Sequence, residues 1–414
     1  MASLLVTIRE GTWIACTAAK VLMTLAFDRL CRVFAHNDIP LSVAALNTPE
    51  TMSALLRTRV ERVASDREKQ TLSERAQLGA GGTGTCRSWL ALGLADGGER
   101  RVFCKLPAAT TFEAMFLTAF GVYKNEVDFY AQLPALRSRF RPGLFGDVHV
   151  ATRRRCRFAL VLEDISARPG GMDLPTAKSP HPAPQVRAAL AAYAALHSAT
   201  WNDVPPGVWT DATSYRRVGG APTRPPFLRV VADATLKAVL RRFPGLLPPD
   251  VEATYRHFLA NYAAVRRHWS SGVLCLAHGD AHLGNIAFAK ETGLATFYDL
   301  QCVAAEHPIR DVAYHLQISC DASDLAANER AYVAHYVAEL RRLRPDAILT
   351  EADAWAGYRL HALWALCALV ISAGASDLFE ESMARLTISR VVAAMQRIDS
   401  RGALDDVVRR EGGA

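Results

Sequence analysis

The sequence predicts an α+β chain in two lobes: a small antiparallel β lobe carrying one main helix, then a larger, mainly helical lobe. Three observations predict it. The 414 residues suffice for two cores, and the balance of 50% hydrophobic to 21% charged is that of a globular chain, not a disordered one. Up to about residue 166, strand-like runs and one long amphipathic segment come in the order strand, strand, strand, helix, strand, strand. A Pro/Gly-rich stretch over 168–185 then breaks the pattern, and most of the chain beyond it has helical periodicity. The expected division is 1–45 as an N-terminal helical extension, 46–166 as the smaller lobe and 167–414 as the larger.

The N-terminal elements come first. Residues 11–27 (GTWIACTAAKVLMTLAF) are apolar, but Lys20 interrupts them and the remaining runs are too short to span a bilayer. No single apolar run with basic residues ahead of it and a small-residue cleavage site marks a signal peptide. Leu22, Leu25, Leu30 and Val33 fall on one face of a packing helix, with a membrane-surface helix over residues 1–35 as the open alternative. Residues 47–63 read as a helix with Thr48 as its cap and Pro49 at its first position. Strands are expected up to about Leu78, over 85–94, 101–106, 147–152 and 157–163, with a helix over 111–134. Beyond the Pro/Gly stretch, helices are expected over 186–199, 251–269 and 351–399, the last with a break near Gly374.

The net charge of +7 favours anionic partners, yet Arg is spread along the whole chain. The densest run, Arg153 to Arg155 with Arg157, lies beside a strand and reads as a solvated face, so no nucleic-acid partner is expected. The nine cysteines are scattered with no CxxC, which suggests neither a zinc site nor a redox dithiol and fits a reducing cytoplasm.

One segment carries chemistry. In 274–301 (LCLAHGDAHLGNIAFAKETGLATFYDLQ) an apolar run stops at His278-Gly279-Asp280-Ala281-His282-Leu283-Gly284-Asn285, and two short strands, 286–289 and 294–300, bring the chain back to Asp299. Phosphoryl transfer from a nucleotide needs a carboxylate to orient the acceptor hydroxyl, oxygen ligands for Mg²⁺, a cation on the phosphates and backbone amides over them. Asp280 suits the first task; Asn285 and Asp299 suit the second. A lone Asp-x-x-x-x-Asn is ordinary turn chemistry, whereas the full cluster with its returning Asp is far more specific. His278 and His282 bracket Asp280 at zinc-like spacing, but two glycines and a following strand argue against the helix that such sites use, and His278 reads as a structural hydrogen-bonding residue.

Two further signals point the same way. Gly79-Ala80-Gly81-Gly82-Thr83-Gly84 is followed by strand-type residues rather than a helix start, which suits a flap over phosphates better than a dinucleotide-binding turn. A plain glycine-rich hairpin is the competing reading. Lys105 falls among apolar strand residues, and Glu126 lies among aromatic residues of the following helix. Pairing them would satisfy both charges and aim the ammonium at phosphate; two unrelated surface charges are the alternative.

The order glycine loop, Lys105, Glu126, HGDAHLGN and Asp299 resembles the aminoglycoside phosphotransferase and choline-kinase-like group of small-molecule kinases, and within it the ecdysteroid-kinase-like members. The likeness extends to 124–133 (KNEVDFYAQL), 160–165 (LVLEDI), 188–201 and 307–316 (HPIRDVAYHL), and covers roughly residues 45–400. It implies a two-lobed protein-kinase-like fold with ATP or GTP in the cleft. Asp280 would be the catalytic base, and Asn285 and Asp299 the Mg²⁺ ligands. Gly79, Gly81, Gly82, Thr83 and Gly84 would cover the phosphates, Lys105 supported by Glu126 would contact them, and the backbone around Leu162 and Glu163 would meet the base. Asp311 would be a buried structural acid.

The implied activity is transfer of a γ-phosphoryl group to a hydroxyl of a small molecule. Asp299 is followed by Leu300-Gln301 rather than Phe-Gly, which speaks against a protein substrate. Acids after Asp311 alternate with apolar residues, and Trp355, Leu363 and Trp364 suggest an apolar pocket for a lipophilic alcohol such as a steroid or polyketide, with an antibiotic also open. A nucleotide-binding scaffold without catalysis and a membrane-associated lipid-headgroup kinase are the alternatives; the presence of every expected chemical group weighs against the first.

Overall fold

The helix expected over 47–63 is cut short by its own sequence. After α1 (Val43–Leu46), Thr48 caps α2 (Pro49–Leu56) by accepting from the Thr51 amide at 3.2 Å. Arg57 then takes a left-handed conformation (φ 52°), and residues 60–65 form strand β1 (Val60–Ser65) instead of continuing the helix. Tertiary pairing overrides the helical periodicity: Val63 lies opposite Leu92 and Ala64 opposite Ala91 on β2 (Thr85–Leu94).

The structure, a computed structural model, describes residues 42–66, 85–108, 121–154, 157–204, 228–375 and 380–412 and the isolated positions 19, 22, 23, 39, 40, 114, 117 and 118. The strand expected up to about Leu78 and the glycine run 79–84 lie outside the described residues. Of the apolar N-terminal positions, Leu22 is described and is 46% exposed rather than packed; Leu25, Leu30 and Val33 lie outside.

With β3 (Glu99–Pro107), β4 (Val148–Arg154) and β5 (Arg157–Glu163), the first two strands make one antiparallel sheet in the order β1-β2-β3-β5-β4. Both faces of this sheet are covered. On β5, Phe158, Leu160 and Leu162 join the main core, whereas Ala159 and Val161 join a second cluster with Met52, Leu90, Val102 and Cys104. That is why residues 158–162 read as an unbroken apolar run rather than an alternating one. Helix α3 (Val122–Leu136) lies on the first face, where Tyr123 packs against Phe158 with ring centroids 4.8 Å apart.

Beyond the sheet the chain is mainly helical, so the α+β class expected from the sequence is the one observed. The Pro/Gly stretch contains a two-residue strand, β6 (Met172–Asp173), and then come α4 (Ala183–Ala199) and α5 (Leu228–Arg242). The helix expected over 251–269 is two, α6 (Pro249–Ala260) and α7 (Tyr262–Ser271). Asn261 leaves helical geometry between them and donates its side-chain amide to the His257 carbonyl at 2.9 Å. Helices α8 (Ile309–Ser319), α9 (Ala322–Leu343), α10 (Glu351–Ala375), α11 (Glu381–Arg397) and α12 (Ser400–Gly412) complete the described chain. By length and hydropathy α10 could cross a membrane, but 67% of its most apolar window is buried inside the protein, against neighbours that include α5, α8 and α11.

Phe158 is 1% exposed and sits between sheet and α3. Phe158→Ala should lower the unfolding free energy by about 3–5 kcal/mol in urea denaturation, whereas Leu294→Ala, at a 52% exposed position, should stay within about 0.5 kcal/mol of wild type.

Candidate active site

Two short strands hold the ends of the polar loop together. β7 (Cys275–Ala277) pairs antiparallel with β10 (Ala304–Glu306), Ala277 opposite Ala304. Between them lie the loop, a 3-10 turn (Leu283–Asn285), β8 (Ile286–Ala289) and β9 (Ala295–Phe297). The second strand of the expected hairpin, 294–300, thus stops at Phe297. Asp299 leaves the strand in a left-handed conformation (φ 57°), which turns its carboxylate back toward the sheet. The loop and the segment after Asp299 touch closely: a Cβ on Gly279 would lie 1.9 Å from the Cys302 carbonyl oxygen, and its φ of +81° is itself left-handed. Only glycine fits there.

Asp311 on α8 anchors the loop's start. Its carboxylate accepts from the His278 amide at 2.6 Å, the Gly279 amide at 2.9 Å and His197 Nε2 at 3.2 Å, and the other ring nitrogen of His197 meets the Tyr336 hydroxyl at 2.7 Å. Burial alone would raise the Asp311 pKa, but these donors and the neighbouring histidines hold it below the ordinary aspartate value. His278 donates from Nε2 to the Tyr298 carbonyl at 3.1 Å and accepts the Asp280 amide on Nδ1 at 3.4 Å, so both ring nitrogens serve the loop's geometry and neither faces a metal.

Asp280 sits at the loop's crest with its side chain 20% exposed. Tyr314 donates its hydroxyl to Oδ1 at 3.2 Å, Asn285 donates its amide to Oδ2 at 3.2 Å and to the Asp280 carbonyl at 2.9 Å, and His282 Nε2 lies 3.6 Å from Oδ2. Burial pushes the Asp280 pKa up, but His282, His278 and the Tyr314 hydroxyl outweigh it and hold it well below the usual carboxylate range. His282 is correspondingly raised: burial opposes its charge, and Asp280 more than compensates.

Lys105 links sheet and loop. It is 2% exposed, and its ammonium contacts Glu126 at 2.7 and 2.9 Å and Asp299 Oδ1 at 2.8 Å. Burial would lower the Lys105 pKa, yet Asp299 and Glu126 together hold it above the ordinary lysine value. Burial raises Glu126, only partly countered by Lys105, whereas Asp299 is lowered because Lys105 and Arg87 overcome the same burial cost. Arg87 on β2 reaches Asp299 Oδ2 at 3.3 Å. Lys105, Arg87, Glu126 and Asp299 thus form a charge-balanced group, the condition under which buried ions are tolerated.

The structure therefore gathers Lys105, Glu126 and Asp299 into one network and joins Asp280 to Asn285 in another, and the Asp280 charge partly opposes the lowering of the Asp299 pKa. Asp280, Asn285 and Asp299 each offer side-chain oxygen, the donor type that a hard divalent cation takes. Leu162 and Glu163 stand apart from these contacts, at the end of β5. Glu163 is clasped by Arg168 at 2.8 and 2.9 Å and by the Asp147 amide at 2.9 Å. The strand after the glycine run is β2, not the helix that a dinucleotide-binding turn needs.

Trp355, Leu363 and Trp364, expected around an apolar pocket, are packed against the protein instead. Leu363 is 0% and Trp364 6% exposed within the core, Trp364 under Arg310 at 4.0 Å, and Trp355 is half-buried under Arg330 at 4.1 Å. These residues serve α10's packing, the usual role of Trp and Leu at helical spacing. Three residues of the site were not singled out in the sequence: Arg87, Tyr314 and His197. Counting outward from the Asp96-Gly97-Gly98 turn places Arg87 opposite Lys105, a signal available only once the β2–β3 hairpin register is fixed.

Comparison with known proteins adds a family. The family described as ecdysteroid kinase-like matches residues 93–346, well over half of the chain. No curated protein matches the sequence. Among solved structures, the chain is similar to an ethanolamine kinase from Plasmodium vivax (11% identity, 76% of this chain and 81% of that chain covered, TM-score 0.46). It is similar too to an aminoglycoside phosphotransferase from Streptomyces rimosus (18%, 73% and 99%, TM-score 0.40). A macrolide 2'-phosphotransferase of type I matches at 13% identity, with 89% and 97% covered and a TM-score of 0.39.

Asp311→Ala leaves two buried amides without an acceptor and should cost about 3 kcal/mol or more. Asp311→Asn gives the pH signature. Because the folded-state pKa is depressed, the charge's contribution is full above the unfolded value of about 4 and is lost as pH falls through the folded value. The stability gap between wild type and Asp311→Asn, measured by urea melts from neutral to acid pH, should therefore close on acidification.

Proposed function

This chain belongs to the ecdysteroid kinase-like family of small-molecule kinases, and from that premise we propose that it transfers the γ-phosphoryl group of ATP or GTP to a hydroxyl of a small molecule. The observation that carries the reading is the neighbourhood of two groups: the loop pair Asp280–Asn285, and the buried pair of Lys105 on β3 with Glu126 on α3, whose lysine also holds Asp299 within electrostatic reach of Asp280. Their residue types match the parts that phosphoryl transfer requires, since its loose transition state asks for positioning and charge stabilisation more than for covalent chemistry.

In this reading Asn285 and Asp299 would hold Mg²⁺, which would supply positive charge against the phosphates. Lys105 supplies a fixed positive charge to the phosphates. Glu126 keeps that ammonium aimed and ionised in a buried place. Asp280 receives the acceptor hydroxyl. A carboxylate held so far below its usual pKa is a weak base toward a free alcohol, so its task is to orient the hydroxyl and take the proton late, as the new O–P bond lowers the alcohol's pKa. Tyr314, His282 and Asn285 fix the carboxylate's plane. The backbone near Leu162 and Glu163 would meet the base. Six free cysteines among the described residues support a cytoplasmic setting.

The test is Mg²⁺-dependent loss of the γ-phosphate with a panel of hydroxylated metabolites and antibiotics. Asp280→Asn should lower turnover by about 10²–10⁴-fold at unchanged melting temperature. Asp299→Asn should abolish the Mg²⁺ response. A wild-type protein that binds nucleotide and consumes none with any acceptor would overturn the reading.

A further inference from the structure

The phosphotransferase roles account for Lys105 and leave a second cation of the same network without one. Arg87 on β2 lies directly opposite Lys105 on β3, and directly paired residues project from the same face of a sheet. Two cations so placed repel each other. The carboxylate of Asp299 is what separates them, Oδ1 to Lys105 at 2.8 Å and Oδ2 to Arg87 at 3.3 Å. The two are not held alike. Lys105 is 2% exposed and gripped by Glu126, whereas the Arg87 side chain is 25% exposed and its contact with Asp299 is the longer one. A cation ligand made from Asp299 needs an oxygen released, and Arg87 is the partner able to yield it.

We propose that Arg87 is a polyphosphate-binding residue that occupies Asp299 Oδ2 in the nucleotide-free protein and gives that oxygen up when an anionic nucleotide draws its guanidinium away. The inference rests on the phosphotransferase reading. A planar guanidinium matches phosphate oxygens in a two-point fork, and Arg87 comes three residues after the glycine run 79–84. The charge pattern gives the same result: without the Asp299 contact, Lys105 and Arg87 face each other with only the Glu126 carboxylate beside the lysine, a net positive group that attracts a polyanion. Arg87 therefore serves nucleotide binding and opposes metal binding in the absence of nucleotide. A residue that merely supported the fold would weaken both.

Those opposite signs are the test. Wild type, Arg87→Ala and Arg87→Lys are titrated calorimetrically with ATP (or GTP, whichever the wild type prefers) and with the matching nucleoside, both without metal. Mn²⁺ binding to the nucleotide-free proteins is followed by electron paramagnetic resonance. Arg87→Ala should bind the triphosphate about tenfold or more weakly, with nucleoside affinity within about twofold of wild type. Its Mn²⁺ affinity should rise. Arg87→Lys should recover part of the triphosphate affinity, and carries the ratio of triphosphate to nucleoside affinity should the alanine variant fold poorly. Equal losses for triphosphate and nucleoside, an unchanged triphosphate affinity, or weaker Mn²⁺ binding would overturn the proposal. A wild type that binds no nucleotide sinks the phosphotransferase reading; a nucleotide-binding wild type with an unaltered Arg87→Ala sinks this inference alone.

Discussion

A single buried ammonium ties the molecule's two halves. Lys105 rises from the sheet into a place with almost no solvent, where an unpaired charge would cost several kcal/mol, and it is accepted there because carboxylates reach it from two directions. Glu126 comes from the helix packed on the sheet and Asp299 from the segment after β9. Each element supplies what the others need: the lysine justifies a buried glutamate, and with Arg87 it holds the turn that carries Asp299. The left-handed backbone at Asp299 belongs to the same arrangement, since an extended residue there would continue the strand's direction instead of turning back.

The loop carrying Asp280 is held by a different device. It is held by backbone amides donated to the Asp311 carboxylate and by a glycine pressed against the Cys302 carbonyl. A loop built this way has little freedom to drift, so Asp280 and Asn285 keep one relation to each other. The outer shell is histidine-rich: His197 serves Asp311, His278 serves Tyr298, and His315 contacts the Ala281 carbonyl. Burial keeps the pKa of His278 and His315 low, which suits hydrogen bonding better than carrying charge.

Much of this was legible in the sequence because it rests on local order. The run from His278 to Asn285, a lysine in an apolar strand and a glutamate among aromatics each break a simple pattern, and a broken pattern is visible without a structure. The fold class was legible for the same reason, as two kinds of periodicity meet at a Pro/Gly stretch. What stayed hidden depends on register or on competition. Residues 60–65 carry no strand signal strong enough to beat the helical spacing before them; only β2 makes them a strand. Arg87 gains its meaning from the residue across the hairpin, twice removed from any local motif. Trp355, Leu363 and Trp364 misled because a helix buried on most sides and a helix lining an apolar pocket share one composition.

Helix α10 has a consequence for how the chain is made. Among the described helices it is the one long and apolar enough to cross a membrane, and four of its packing neighbours, α5, α6, α8 and α9, precede it in the sequence. During synthesis from the N-terminus, that surface is already translated when α10 emerges, so the nascent helix meets a receptive protein face before it meets other chains. A circular permutant that moved α10 ahead of those helices would keep every native contact and lose that ordering.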